Sequence, residues 1–420
     1  MKKFLFLIVI LCICSSSFAQ IPAIFTNEIS DSSSSRTGIT GDFNFNSTAL
    51  TTKFLSKFYN GEYIDKESKN SVLDRTRNKN RIGAEANFGI FVAVKLDSVF
   101  HKKDVNFFFS VRDREHFDAR YSDDFFKLGF YGNSQFAGKT AVLNDFNLTY
   151  LHYQQLQIGF FSSKVDSAAR WGIGVSFLKG QQFGSILAKK AELFTSEDGQ
   201  YINFDTQMQV AQSDTAHTGL TAFNGYGASI DVYFEAPLKT RHFKSKIAVS
   251  VADIGVIRFN KQSLYLKQDS LFHYTGFRIN SIYDIQDSTF GHTTTDSVQN
   301  RIAPFKKQGV SITLPATLNI TYETEFNKHF RLTEGVKYIY NANYNFMIYV
   351  KAGITINKHF MVSTTFGYGG YGKYNYGLGV FANFGNGFMV YAGSNNLEGY
   401  IAQNKASGLG GYLSLIKAFK

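Results

Sequence analysis

Polar and apolar residues alternate through the last hundred positions of the chain. Over Tyr344 to Ile356, Tyr344, Phe346, Ile348, Val350, Ala352, Ile354 and Ile356 fall on one face, while Asn345, Lys351, Gly353 and Thr355 fall on the other. Successive side chains of a strand point to opposite sides, so this period of two predicts a long strand with one apolar face. It ends in Asn357-Lys358-His359-Phe360, a tetrapeptide already met as Asn327-Lys328-His329-Phe330, and a further tight turn, Gly385-Asn386-Gly387, follows at a similar interval. A membrane-crossing β-strand needs roughly 9–11 residues. Each interval therefore holds two strands, a tight turn and a longer loop, which is the pattern of an up-and-down membrane barrel.

The same reading extends toward the N-terminus. Strand patterns occur at 39–47, 83–96, 105–112, 144–153, 156–163, 171–178, 222–235 and 246–259. Two segments change period. Residues 49–59 place Leu50, Phe54, Leu55 and Phe58 at helical spacing, and 122–131 open with Ser122 or Asp123 as a cap before Phe125, Phe126 and Leu128. Residues 66–81 are strongly charged and read as a loop, 181–214 fit no single pattern, and 260–308 read as a long polar loop. The expected fold is all-β: an antiparallel up-and-down transmembrane β-barrel of about 14 strands with short plug-like helices near its N-terminal end. If the last strand, 411–419, ends on the periplasmic side, the turns at Lys239, Lys328, Lys358 and Asn386 lie there too. The loops at 260–308, 367–373 and 394–407 then lie outside, as outer-membrane barrels require.

The N-terminus adds a destination. Met1-Lys2-Lys3, an apolar run over 4–14 and the small residues Ser17 and Ala19 form the three zones of a secretory signal peptide, with the cut after Ala19. The expected organisation is a signal peptide over 1–19, a serine-rich leader over 20–36 and the barrel over 37–420, in the outer membrane of a Gram-negative bacterium. Both cysteines, Cys12 and Cys14, fall inside the signal. Thiolate chemistry and cysteine-bound metal clusters are thereby excluded from the mature chain. The net charge of +11 on an exported chain suits outer-leaflet lipid and glycolipid, not nucleic acid.

Three groups of residues carry a resemblance. They are Ser110-Val111-Arg112-Asp113-Arg114 with Tyr121 to Leu128 and Gly132-Asn133, Asp253 to Ile257 with Leu314-Pro315-Ala316, and Ser394-Asn395-Asn396-Leu397. The chain resembles an uncharacterised outer-membrane barrel family of Bacteroidota. That family is distantly similar to FadL-like transporters and to the barrels of the type IX secretion apparatus. The resemblance implies a barrel with an N-terminal plug-like segment and implies no substrate. Of the FadL-type plug only Pro22-Ala23 is matched.

Candidate chemistry is sparse. Gly377-Leu378-Gly379-Val380-Phe381-Ala382 resembles a dinucleotide fingerprint, but a turn and a strand follow where a helix is needed. Gly367 to Gly372 lacks the Gly-Lys-Ser/Thr ending of a phosphate loop. No nucleophile–base pair stands out, so no enzyme activity and no cofactor is expected. His116 and Asp118 have no second histidine at ligand spacing, so no metal site is expected. The dense charges Arg112, Asp113, Arg114, Glu115, Asp118 and Arg120 form a candidate lumen cluster, where charges select or block solutes. The competing reading is a solvated segment leading into the helix. Five Asp-Ser/Thr-aliphatic triplets, at Asp97, Asp166, Asp214, Asp269 and Asp296, fit either an O-glycan acceptor or ordinary turn chemistry. The expected function is channel-like passage of a small solute, hydrophobic solutes included. The alternative is a nonconducting barrel that docks surface or secretion-system proteins. Either way, the barrel-assembly machinery is an expected partner.

Overall fold

The computed structural model describes residues 35–99, 102–162, 169–240, 242–275 and 305–419. The proposed signal peptide, most of the leader and the segment 276–304 lie outside these residues, as do the triplets at Asp166 and Asp296.

In chain order the strands begin with β1 (Ser35–Ser47), β2 (Asn80–Val99), β3 (Lys102–Tyr121), β4 (Lys139–Val142), β5 (Phe146–Ser162) and β6 (Arg170–Thr195). Next come β7 (Ile202–Gln212), β8 (Gly225–Lys239), β9 (Lys244–Phe259), β10 (Leu264–Tyr274), β11 (Lys306–Lys307) and β12 (Ser311–Thr313). The series ends with β13 (Ala316–Glu325), β14 (Phe330–Tyr340), β15 (Asn345–Asn357), β16 (Phe360–Gly370), β17 (Tyr374–Asn383), β18 (Phe388–Asn396) and β19 (Gly408–Phe419). Fourteen strands close into one antiparallel barrel. Closure is made by β1, which pairs with β2 on one side and with β19 on the other, from Ser35↔Phe419 to Asn46↔Gly408. A closed barrel leaves no strand edge in lipid, so every backbone group of the wall finds its partner within the wall.

The alternation read from the sequence is the alternation of the wall. On β15, Phe346 and Ile348 are 64% and 63% exposed, while Met347 and Tyr349 between them are 5% and 6% exposed. With lipid outside, these outward residues form the apolar band. Two aromatic belts mark its borders. Toward the outer end Tyr338 stacks on Phe346 at 4.4 Å and Tyr368 meets Tyr374 at 5.3 Å. Toward the other end Phe243, Phe326 and Phe330 stand 4.8 and 5.6 Å apart in sequence. Tyr344 departs from the face assigned to it: it turns into the barrel and is 8% exposed.

Among the described residues four α-helices lie at the outer ends of the strands: α1 (Thr52–Asn60), α2 (Lys66–Leu73), α3 (Asp123–Tyr131) and α4 (Glu398–Ile401). Thr51 caps α1 by accepting from the Phe54 amide, Gly61 ends it at φ 67°, and Ser122 caps α3 by accepting from the Phe125 amide. Residues 66–81, expected as a loop, contain α2, capped by Asp65; its two apolar side chains, the adjacent Val72 and Leu73, show no helical period to read. Phe54, Val72, Tyr121 and Phe126 pack these helices into one cluster at the rim. The N-terminus of α1 is held by the outer loop before β19, through Thr52 N–H to Ala406 O at 2.9 Å and Lys53 N–H to Gln403 O at 3.1 Å.

Strand β6 resolves the segment without a pattern. It pairs with β8 from Arg170 to Gly180, then continues past the wall and pairs with β7 from Gly184 to Thr195. β4, the outer half of β6, β7 and β10 form a sheet that rises above the barrel.

Candidate functional site

The interior face of the barrel is filled by side chains at three levels. In the middle, β3 presents Arg112 and Arg114 inward. Arg114 Nη1 donates to both carboxylate oxygens of Asp253 at 2.7 Å, Nε donates to Asn87 Oδ1 at 2.8 Å, and the guanidinium lies 5.6 Å from the Tyr153 ring centre. Asp253 reaches this position because β9 bulges against β8, where the register shifts between Ile230 and Val232. Asp253 itself adopts φ 63°, a conformation that aspartate tolerates better than most residues. Its amide donates to Asp231 Oδ1 at 2.8 Å, and Gln157 links Asp231 to Arg112 through bonds of 2.6 and 2.7 Å. Buried charges persist only when paired and hydrogen-bonded, and this group meets that condition.

Nearer the outer end, opposite walls touch. Glu85 on β2 lies 4.0 Å from Lys337 on β14. Asp118 on β3 accepts from the Asn343 backbone amide at 3.0 Å and from the Asn343 side-chain amide, which sits in the turn between β14 and β15. His116 lies between the two acids, 2.7 Å from Asp118 Oδ2 and 3.5 Å from Glu85 Oε1. A second turn, after β16, folds inward as well. Gly369 and Gly370 take φ 113° and 75°, values that only glycine adopts without strain, and they aim Tyr371 at the far wall. There it sits so closely over Gly83 that a Cβ at that position would fall inside its ring. Tyr371 is 2% exposed and its hydroxyl has no hydrogen-bond partner. A water-sized cavity remains beside it, lined in part by Asn46, Lys337, Tyr344 and Asn375.

The half of the barrel toward the tight turns holds apolar groups. Phe91, Phe108, Phe161 and Tyr233 form a cluster with Ile416, against which Met389 and Tyr391 pack from β18, on the wall opposite Tyr233.

The predicted charge cluster is split by strand geometry. Arg112, Arg114 and Asp118 face inward. Asp113 and Glu115, at the alternate positions, face outward, where His152 Nε2 lies 3.0 and 3.8 Å from their carboxylates. Arg120 stands at the rim and donates to Asp145 O at 3.0 Å. The reading of 113–120 as a solvated lead into the helix gives way to β3, which runs unbroken to Tyr121. The residues that complete the interior network, Glu85, Asn87, Gln155, Gln157, Asp231, Asp253, Lys337 and Asn343, come from six other segments. Only the alternating Glu85-Asn87 and Gln155-Gln157 pairs leave a trace in the sequence. Among the described residues no group of three His, Cys, Asp or Glu side chains could hold a metal. At the Asp214 triplet, the Ala216 amide donates to Asp214 Oδ1 at 2.9 Å, the turn chemistry that competes with the glycan reading.

A closed barrel with an apolar outer band, aromatic belts and a charged interior defines an outer-membrane protein of the Gram-negative type. Residues 36–395 match a family of unknown function, DUF5723, and the chain belongs to that family. No curated protein matches the sequence. Among solved structures it is similar to a deletion mutant of the monoaromatic hydrocarbon channel TodX, with 10% identity, 96% of each chain covered and a TM-score of 0.48. It is also similar to the Pseudomonas putida toluene transporter TodX, at 9% identity, 96% and 93% coverage and a TM-score of 0.39. A third likeness is to the translocator domain of the autotransporter NalP from Neisseria meningitidis, at 6% identity, 92% and 89% coverage and a TM-score of 0.34.

Proposed function

We propose that the protein is a sealed outer-membrane barrel that serves as a surface scaffold, docking surface or secretion-system proteins on the sheet and helices above its rim. The observation that carries this reading is contact between opposite walls at two depths: Glu85–Lys337 with Asp118–Asn343 near the outer end, and Tyr233 with Tyr391 in one apolar cluster toward the periplasm. An open pore keeps its walls apart and its interior wet. The long outer half of β6 adds a second reason, since with β4, β7 and β10 it offers a partner a sheet beyond the wall.

One observation favours a second reading, gated passage of a small solute. Much of the outer contact is made by two short turns, 341–344 and 371–373, and their withdrawal would leave every wall strand paired. Single-channel recording of the refolded protein in planar bilayers separates the two. A scaffold is silent at all voltages and co-purifies with a stoichiometric partner from native membranes. Steady conductance, or solute uptake by liposomes carrying the barrel, would overturn the scaffold reading.

A further inference from the structure

One backbone amide sets the direction of a chain of asparagines inside the outer mouth. The Ser47 amide donates to Asn46 Oδ1 at 2.8 Å. A backbone amide only donates, so the other end of the Asn46 carboxamide is its amino group. That group donates to Asn375 Oδ1 at 2.5 Å and to Asn396 Oδ1 at 3.2 Å. Asn396 in turn donates through Nδ2 to Asn44 Oδ1 at 2.5 Å. β1, β17 and β18 supply these side chains, and Asn46, Asn375 and Asn396 are buried. Every carboxamide oxygen in the chain thus accepts from a neighbour, and the groups left over at its two ends are both donors. Asn375 Nδ2 meets the Met347 sulfur at 4.0 Å, a weak acceptor. Among the described residues Asn44 Nδ2 makes no hydrogen bond.

Asn44 and Asn375 line the same small cavity, and so does Lys337 from β14. Lys337 is 4% exposed. Its ion-pair partner among the described residues is Glu85, at 4.0 Å, beyond hydrogen-bond reach. Glu85 is itself engaged by His116 at 3.5 Å. The N–H groups of the ammonium are therefore left, among the described residues, without an oxygen to donate to. Buried donors without partners are costly, and a buried charge without hydrogen bonds more so. The cavity is the place for that partner. Its volume of about 20 Å³ gives room for one atom-sized guest and none for a sulfate or phosphate. A water would bring two hydrogens that need acceptors, where the asparagine oxygens already accept. A monatomic anion accepts from every side and brings no hydrogens.

We infer that Lys337 Nζ, Asn44 Nδ2 and Asn375 Nδ2 form a halide site inside the outer mouth, with chloride as its occupant. The bound ion ties together β1, β14 and β17, strands that are not neighbours in the wall. It does so whether or not the barrel conducts, and whether or not proteins dock above the rim.

The test uses the full barrel refolded in a zwitterionic detergent, with folding checked by its boiling-dependent gel shift. Crystals grown in sodium bromide should show an anomalous peak beside Lys337 Nζ. In solution the urea midpoint should rise with sodium chloride and level off, with sodium gluconate holding the ionic strength constant, because an ion that binds only the folded state stabilises it. Asn375→Asp keeps the oxygen that Asn46 uses and turns the free donor into a carboxylate oxygen. It should raise the chloride concentration needed for half the effect by about tenfold or more. Asn44→Asp, at the less buried end of the chain, repeats the comparison where Asn375→Asp does not fold. Asn386→Asp, in a tight turn at the other end of the barrel, makes the same change of charge and should leave the chloride response as it is in the parent. A water at the site with no anomalous signal overturns the proposal. So does a midpoint that ignores chloride, which would reduce a bromide peak to binding at crystal concentration only. An equal chloride response in Asn375→Asp and the parent also overturns it, by making the effect one of salt in general.

Discussion

Removing Arg114 tests the physical account of the interior. Its guanidinium bonds both oxygens of Asp253 at 2.7 Å, with further bonds to Asn87 and Gln155, and it is 5% exposed. Arg114→Leu would leave the Asp253 carboxylate, 0% exposed, without its cation and next to a second acid, Asp231. Breaking a buried pair from one side costs about 3–5 kcal/mol, because the remaining charge is uncompensated. Asp253→Asn should cost less: it removes the orphan charge, and asparagine tolerates the positive φ at that bulge. The double variant should then be more stable than the sum of the two losses predicts, by about 1–3 kcal/mol of coupling. The assay is urea unfolding of the barrel in phospholipid vesicles. The protein has one tryptophan, and Trp171 faces outward at the start of β6, so its emission reports loss of the lipid environment. A loss below about 1 kcal/mol for Arg114→Leu, or strict additivity of the pair, would refute the claim that these charges brace the barrel.

Three further perturbations probe other levels of the structure. Val350→Arg should cost about 2–4 kcal/mol because the side chain faces lipid, while Lys351→Arg, facing inward, should stay within about 0.5 kcal/mol; equal effects in the same urea titration would mean that the register is wrong. Gly83→Ala should displace Tyr371 and cost about 1–3 kcal/mol by overpacking in the same urea titration, and an unchanged midpoint would show that the ring does not seat on Gly83. The carboxyl of Glu398 in the outer loop is pushed up to about 7, chiefly by burial, and its Oε1 has no hydrogen-bond partner. A raised acid pKa means that the folded loop keeps a proton that the open loop releases. Loop stability should therefore fall as pH rises from about 4.5 to about 7 and stay low above that. Hydrogen exchange at the Ala402 amide, corrected for intrinsic rate, should show this fall, and Glu398→Gln should abolish it; an unchanged profile in the variant would point to another group.

Much of the wall was legible because a barrel in lipid repeats one rule. Every strand must show lipid an apolar residue at each second position, so the period survives in the sequence wherever the wall is regular, as it does from β13 to β19. The caps of α1 and α3 were legible for a similar reason: a helix start exposes amides that only a few side chains can satisfy. The two faces of Asp113 and Arg114 were not legible. That cluster is dense in charge on both sides of the strand, and without an apolar partner face nothing in the local sequence says which side is inside. Strand length fared no better, since β6 keeps alternating after it leaves the membrane and meets a new neighbour.

By itself, then, the sequence determined that this chain forms antiparallel strands with one face for lipid, and which ends carry tight turns and which carry long loops. Those properties follow from the bilayer acting on each residue separately. Only the tertiary structure decided which residues meet across the barrel interior. Glu85 and Lys337, or Asp118 and Asn343, are separated by more than two hundred positions, and each is an unremarkable polar residue in its own segment. They meet because fourteen strands close into a ring and two turns fold across it, and a contact between opposite walls has no signature in either wall alone.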